Sequence, residues 1–185
     1  MELMEALRTR RAVRDFSDQP VDDAVLGGLI DAASLAPSAL SLQPWAFCVV
    51  EKAARLNELA SAAKNFARTR VAPDSPLAAQ LADPDFDIFH GAQAMIVICA
   101  THNDAQSSED CCVAAATLIL AAHAQGLGAC WVRLARAWLN LASTKIELGI
   151  PAQWVPVAPI VLGYPHILLT PPPPSRRPPR IIYCK

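Results

Sequence analysis

The chain has 185 residues, 53% of them hydrophobic and 18% charged, with 16 Lys and Arg against 17 Asp and Glu for a formal net charge of −1. This suits one domain with a sizeable core; it excludes a disordered polymer and a general nucleic-acid surface, which needs a basic excess. The longest apolar run, Cys111–Ala122, is shorter than the roughly 18–20 residues that span a bilayer, and the N-terminus lacks the basic and apolar segments of a signal peptide, so no membrane contact is expected.

Leu3, Ala6 and Leu7 predict a short helix over Glu2–Arg10, followed by a loop over Arg11–Gln19. Asp22 and Asp23 place acids in the first turn of a second helix that runs to about Ala36, with Leu26, Leu29, Ile30 and Ala33 as its apolar stripe and Pro37 as its stop. A polar loop, Ser38–Pro44, leads into a strand over Trp45–Val50. A helix follows over Ala53–Ala63, then a Pro- and Asp-rich surface excursion over Pro73–Asp87 and a buried strand over Ala94–Ala100. Cys111–Gln125 is apolar on nearly all sides and reads as a central helix, buried in the protein or in a subunit interface, ended by Gly126 and Gly128. A strand over Ala129–Val132, a helix over Leu139–Leu148 and a strand over Val157–Leu162 complete the pattern. The tail has four prolines, Pro171–Pro174, then Ser175-Arg-Arg-Pro-Pro-Arg180; this is extended backbone, with Ile181–Tyr183 able to dock as an edge strand. Such alternation gives a layered α/β or α+β protein rather than a helical bundle.

Most familiar chemistries find no support. Six cysteines without a Cys-x-x-Cys pair point to reduced thiols in the cytoplasm, not to a zinc site or a redox motif. Gly126-Leu-Gly128 follows a helix and precedes a strand, the reverse of a dinucleotide fingerprint. No nucleophile elbow or Walker loop is present, and His123 reads as a satisfied core histidine. What remains is two arginine clusters, Arg8, Arg10, Arg11 and Arg14 at one end and Arg176, Arg177 and Arg180 at the other. Guanidinium forks suit a phosphate, and together the clusters would clamp one; alone, the first could equally be a solvated basic turn. Between them, Ala36–Trp45 carries Ser38, Ser41 and Gln43, either a plain connector or a set of hydrogen-bonding groups for a flat polar heterocycle.

Taken together, four segments resemble the nitroreductase family of FMN-dependent oxidoreductases. Arg10-Arg-Ala-Val-Arg-Asp-Phe16 is similar to the family's Arg-Arg-Ser-hydrophobic-Arg-x-Phe. Ala36-Pro-Ser-Ala-Leu-Ser-Leu-Gln-Pro-Trp45 is similar to Ala-Pro-Ser-x-x-Asn-x-Gln-Pro-Trp. Ala121–Val132 is close to the Gly-Leu-Gly-x-x-Trp-hydrophobic stretch, and Pro156–Pro165 precedes an Arg-rich tail. The order of the matches is the family's, over essentially the whole chain.

The resemblance implies an α+β fold, a three-layer α/β/α sandwich with a mainly antiparallel sheet, in an interlocked homodimer with FMN at the subunit interface. Residues 1–170 would form the FMN-binding domain, with 171–185 as an extension that completes the phosphate clamp. By position, Arg10, Arg11, Ala12 and Arg14 would face the phosphate, ribityl chain and ring edge, and Arg177 with Ser175 or Arg176 would close the clamp. Pro37, Ser38, Ala39 and Ser41 would approach from the partner subunit, Asn65 would bond the pyrimidine edge, and Trp131, Val132 and Arg133 would lie near flavin N5. The implied activity is ping-pong hydride transfer from NADH or NADPH to a nitroaromatic, quinone or related acceptor, with the flavin rather than a side chain as the catalytic centre. Alternatives are an FMN-binding module whose slot Arg133 restricts, a dehalogenase or flavin-modifying variant, and an interaction protein with a Pro-rich tail. Three positions depart from the pattern: Ala12 replaces Ser or Thr, Ser41 replaces Asn, and Arg133 replaces Gly or an acid.

Overall fold

The computed structural model describes residues 1–166 and 177–184. All seven residues of β2 (Ala94–Ala100) are buried, and successive side chains enter different cores, as the two-residue period of a strand requires. Met95, Val97 and Cys99 pack with Leu56, Leu59 and Ala63 of α3 (Ala53–Arg68) and with Leu81 of α4 (Pro76–Ala82). Ala94, Ile96, Ile98 and Ala100 pack with Leu26 and Leu29 of α2 (Asp23–Ser34) and with Cys111, Ala115 and Leu118 of α5 (Ala105–Ala124). Helices therefore cover both faces of the sheet, the expected α+β sandwich of three layers.

The sheet order is β1 (Trp45–Val50), β2, β4 (Val155–Gly163), β3 (Gly128–Trp131), antiparallel throughout. The central β4 carries Pro159, which has no N–H for a ladder. Val132 N–H still reaches the Pro159 carbonyl, but the Val132 carbonyl accepts from Ala135 instead. Pairing stops there, so β3 ends at Trp131 and not at Val132, and the chain leaves in a tight 3-10 turn, Arg133–Ala135.

Other boundaries shift for local reasons. Helix α5 starts six residues before its apolar run because the Asp104 carboxylate caps it, accepting from Ser107 N–H at 2.7 Å and Ser107 Oγ at 2.9 Å. The excursion over Pro73–Asp87 contains α4, capped by Ser75 and anchored by the fully buried Leu81. The helix expected over Leu139–Leu148 is two short pieces, α6 (Arg136–Leu139) and α7 (Ala142–Glu147). Between them the Asn140 side chain donates to the carbonyls of Arg136 and Pro156. Ile181–Tyr183 form no strand and are exposed; the outer edge of β3 is already taken by Val13, whose N–H donates to Ala129. No described helix is long and apolar enough to cross a membrane, and the six cysteines are free thiols.

Candidate functional site

The N-terminal arginine loop is laid down on the sheet by two glycines. A Cβ on Gly128 would stand 2.7 Å from the Val13 side chain, and one on Gly163 would stand 2.8 Å from Phe16. With no side chain at either position, the loop following α1 (Leu3–Thr9) closes onto the sheet, fixed by Val13 N–H to Ala129, Ser17 N–H to Tyr164, and a bridge between Phe16 and Pro165. Thr9 Oγ1 meets His123 Nε2 at 2.8 Å and ties α1 to α5.

This seating creates a cavity of about 420 Å³ between the loop and the middle of α5. Arg10, Ala12 and Arg14 line one side; Ala116, Ile119 and Leu120 of α5 line another; Cys130, Trp131 and Arg133 form the floor. A second lobe of about 200 Å³ shares Arg14, Cys130, Trp131 and Arg133, and adds Val132, Leu134 and the segment holding Phe86, Ile88 and His90. Among the described residues no Asp or Glu lines either lobe, while three guanidiniums do. The Arg133 guanidinium lies over the Trp131 ring, 4.9 Å from its centroid. Trp131 Nε1 is buried and has no hydrogen-bond partner among the described residues, the kind of unsatisfied donor that asks for an acceptor.

The wall of the second lobe is rigidly set. Asp87 accepts the N–H groups of Phe89 at 2.9 Å and Gly91 at 2.6 Å, folding a turn in which His90 is left-handed at φ 60°, a costly conformation for a residue with a side chain. The His90 ring meets Phe86 edge-on with centroids 6.0 Å apart. Burial first, then the Arg14 charge, pushes the imidazole below its ordinary pKa. Lys64 holds the same segment from behind, donating to the carbonyls of Asp83 and Phe86. Burial raises the Cys130 thiol, an effect Arg14 partly offsets.

The structure gathers Arg10, Ala12, Arg14, Trp131, Val132 and Arg133 around these lobes. It uses Arg11 differently: Nη1 donates to the carbonyls of Arg8, Thr9 and Arg10 at 3.2, 2.8 and 2.9 Å, closing the end of α1. Pro37, Ser38, Ala39 and Ser41 lie outside both lobes, near the start of α5. There Ala39 N–H donates to both oxygens of the buried Asp110 carboxylate at 3.3 Å, and Ser38 Oγ accepts from Gln43 N–H at 2.9 Å. Leu40, Ser41 and Gln43 are all left-handed. Asn65 is exposed on α3, outside both lobes, and Arg177 is exposed in the stretch 177–184. Ser175 and Arg176 lie outside the described residues. Sequence reasoning missed Phe86, Ile88 and His90; an Asp four residues before a Gly, as in Asp87–Gly91, was the available sign of a folded turn.

A family model described as the Nitroreductase family matches residues 7–164. The chain belongs to the nitroreductase family. A Methanothermobacter thermautotrophicus relative, provisionally named an NADH dehydrogenase/NAD(P)H nitroreductase, is 29% identical over 168 residues, covering 89% of this chain and 78% of that one. A 5,6-dimethylbenzimidazole synthase of Rhodospirillum rubrum is 31% identical over 184 residues, covering 85% of this chain and 79% of the other. Among solved structures, the FMN-bound nitroreductase of Bacteroides fragilis shares this nitroreductase fold with a TM-score of 0.83 at 21% identity, over 99% of this chain and 100% of that one.

Proposed function

We propose that this nitroreductase-family protein is an FMN-dependent oxidoreductase that passes a hydride from NADH or NADPH to a nitroaromatic, a quinone or a related small acceptor, and that it works as a homodimer. The observation that carries the reading is the two-lobed cavity lined, among the described residues, by three guanidiniums and no acid. Its donor set fits FMN: cations for a phosphate and an electron-rich ring edge, an apolar helix face for the ring system, and a buried indole N–H without a partner. Bound FMN supplies the hydride chemistry that no side chain in these lobes offers.

The chain's own part is to bind, orient and stabilise charge. Arg10 would hold the phosphate, joined by Arg177 and Ser175 of the tail, which is the expected role of residues 171–185. Arg14 would bring a positive charge to the ring edge, where negative charge develops on reduction. Arg11 acts by closing α1 and aiming the loop. Ala12 leaves one ribityl hydrogen bond to water, about 1 kcal/mol. Asn65 is left out of the proposed set. Pro37, Ser38, Ala39 and Ser41 would come from the partner subunit. That assignment is supported by the strained loop itself, which presents Leu40 at 92% and Leu42 at 67% exposure, and by the exposed Leu3 and Met4 of α1.

The test is an anaerobic titration of the flavin-loaded protein. NADH or NADPH should bleach the flavin absorbance, and a nitroaromatic or a quinone should restore it. A flavin spectrum indifferent to both nucleotides contradicts the proposal and favours a binding module whose slot Arg133 restricts. The Rhodospirillum rubrum relative keeps a flavin-modifying variant as a second reading; product analysis after aerobic turnover separates the two, since only that variant consumes its flavin.

A further inference from the structure

We propose that Arg133 is the anion-recognition group for the acceptor, so that this protein prefers aromatic acceptors carrying a carboxylate or comparable anionic group. The inference rests on the FMN reading above and names the substrate class for that same site.

The arginines differ in what holds them. Arg11 is turned onto backbone carbonyls, and Arg55, far from the lobes, is paired with Glu58 and Glu147. Arg133 has neither kind of partner: among the described residues no carboxylate lies within ion-pair distance of it. Its guanidinium sits over the Trp131 ring, and among the described residues no hydrogen bond engages its N–H groups. Among the described residues no acid lines either lobe to neutralise it. Asp87, close enough to influence His90, has both carboxylate oxygens turned onto the N–H groups of Phe89 and Gly91.

A charge count then separates the arginines. A phosphate monoester carries about −1.5 to −2 at neutral pH, and on the FMN reading Arg10 would answer it. Arg14 answers the ring edge. Arg133 is left over, and it lines both lobes, including the one walled by Phe86, Ile88 and Leu134. His90 in that wall stays neutral near pH 7, because burial and Arg14 disfavour its charged form, so it neither competes with Arg133 for an anion nor attracts a cation. An aromatic slot with one unanswered guanidinium matches an aromatic anion, through bidentate hydrogen bonds to a carboxylate. An uncharged ring would fill the walls and leave the cation without a partner; a cationic acceptor would be repelled.

The experiment compares 4-nitrobenzoate with 4-nitrobenzamide, near-isosteric acceptors of which the amide is intrinsically the easier to reduce. With the FMN-loaded dimer, kcat/KM should favour the acid by about 10-fold, the low end for a charge-assisted contact because Arg133 is exposed. The preference should shrink with added salt, fall towards parity in Arg133→Gln, and return in part in Arg133→Lys. Binding without turnover gives a second readout: benzoate should perturb the oxidised flavin spectrum at concentrations about 10-fold below benzamide. A flavin-loaded, turning-over wild type with equal or reversed preference overturns the proposal while leaving the FMN reading intact, and so does an unchanged preference in Arg133→Gln. Failure to bind flavin at all overturns both. The salt dependence and the benzoate titration need only the wild type, so they decide the matter even where a variant does not fold.

Discussion

Two loops flank α5, and they solve opposite problems. Near its C-terminal half the Arg10–Phe16 loop lies flat on Gly128 and Gly163, contributes cations to a cavity, and is complete within one chain. Near its N-terminus the Ser38–Gln43 loop is wound through three left-handed residues, held from beneath by Asp110, and turned outward with exposed leucines. In the proposed homodimer the first loop would receive the cofactor, and the strained second loop would project towards the partner subunit. The site proposed between two copies of the chain would need both.

The contrast breaks most severely at the seat of the first loop. In Gly128→Val the added side chain meets Val13 with no room to yield, costing about 1–3 kcal/mol of stability and lifting the arginines off the sheet. Denaturant unfolding and flavin content should fall together; a fully flavin-loaded variant would mean that the seating is irrelevant to binding. Next in size is Arg10→Gln, which should weaken FMN retention about 10- to 150-fold for the loss of one charge-assisted contact. Arg11→Gln sharpens the point: it should cost helix-end stability of about 1 kcal/mol and much less flavin affinity. Equal flavin losses in the two variants would erase the distinction drawn between a ligand-facing and a backbone-capping arginine.

In the second loop, Asp110→Ala removes the acceptor for Ala39 N–H. About 1–2 kcal/mol of local support should go, seen as faster hydrogen exchange at residues 38–43 and weaker subunit association, with Arg10 and Arg14 still in place. Unaltered exchange and association would show that the loop's conformation does not depend on Asp110. The smallest effect is a pH dependence. His90 and His123 both hold a proton less tightly than a free imidazole, chiefly through burial. As pH falls through about 6.5 the unfolded chain takes up more protons than the folded one, so stability should decline from neutral pH down to the depressed folded values. The double variant His90→Gln, His123→Gln should flatten the unfolding midpoint between pH 7.5 and 5.5; an undiminished slope would assign it to other groups.

Sequence revealed the scaffold better than the site. Strands at Trp45–Val50 and Ala94–Ala100 are bounded as expected, because apolar runs between turn residues carry their own limits. Helix α5 was underestimated, since a hydrophobic run marks only the buried part while the Asp104 cap lies in polar sequence. The arginine cluster announced an anion site through composition alone. Composition does not say which way a guanidinium turns, so Arg11 looked equivalent to Arg10, and only the carbonyls of residues 8–10 distinguish them. The Phe86–His90 wall was hidden because its placement depends on a turn and on Lys64, 22 residues before Phe86 in sequence.

The central claim is that these two lobes are a flavin site. The most direct measurement is the visible spectrum of the purified protein before and after incubation with FMN and gel filtration. A yellow protein retaining FMN equimolar with chains is expected, with a marked loss of that retention in Arg10→Gln. A colourless protein that emerges without flavin after incubation with excess FMN would contradict it.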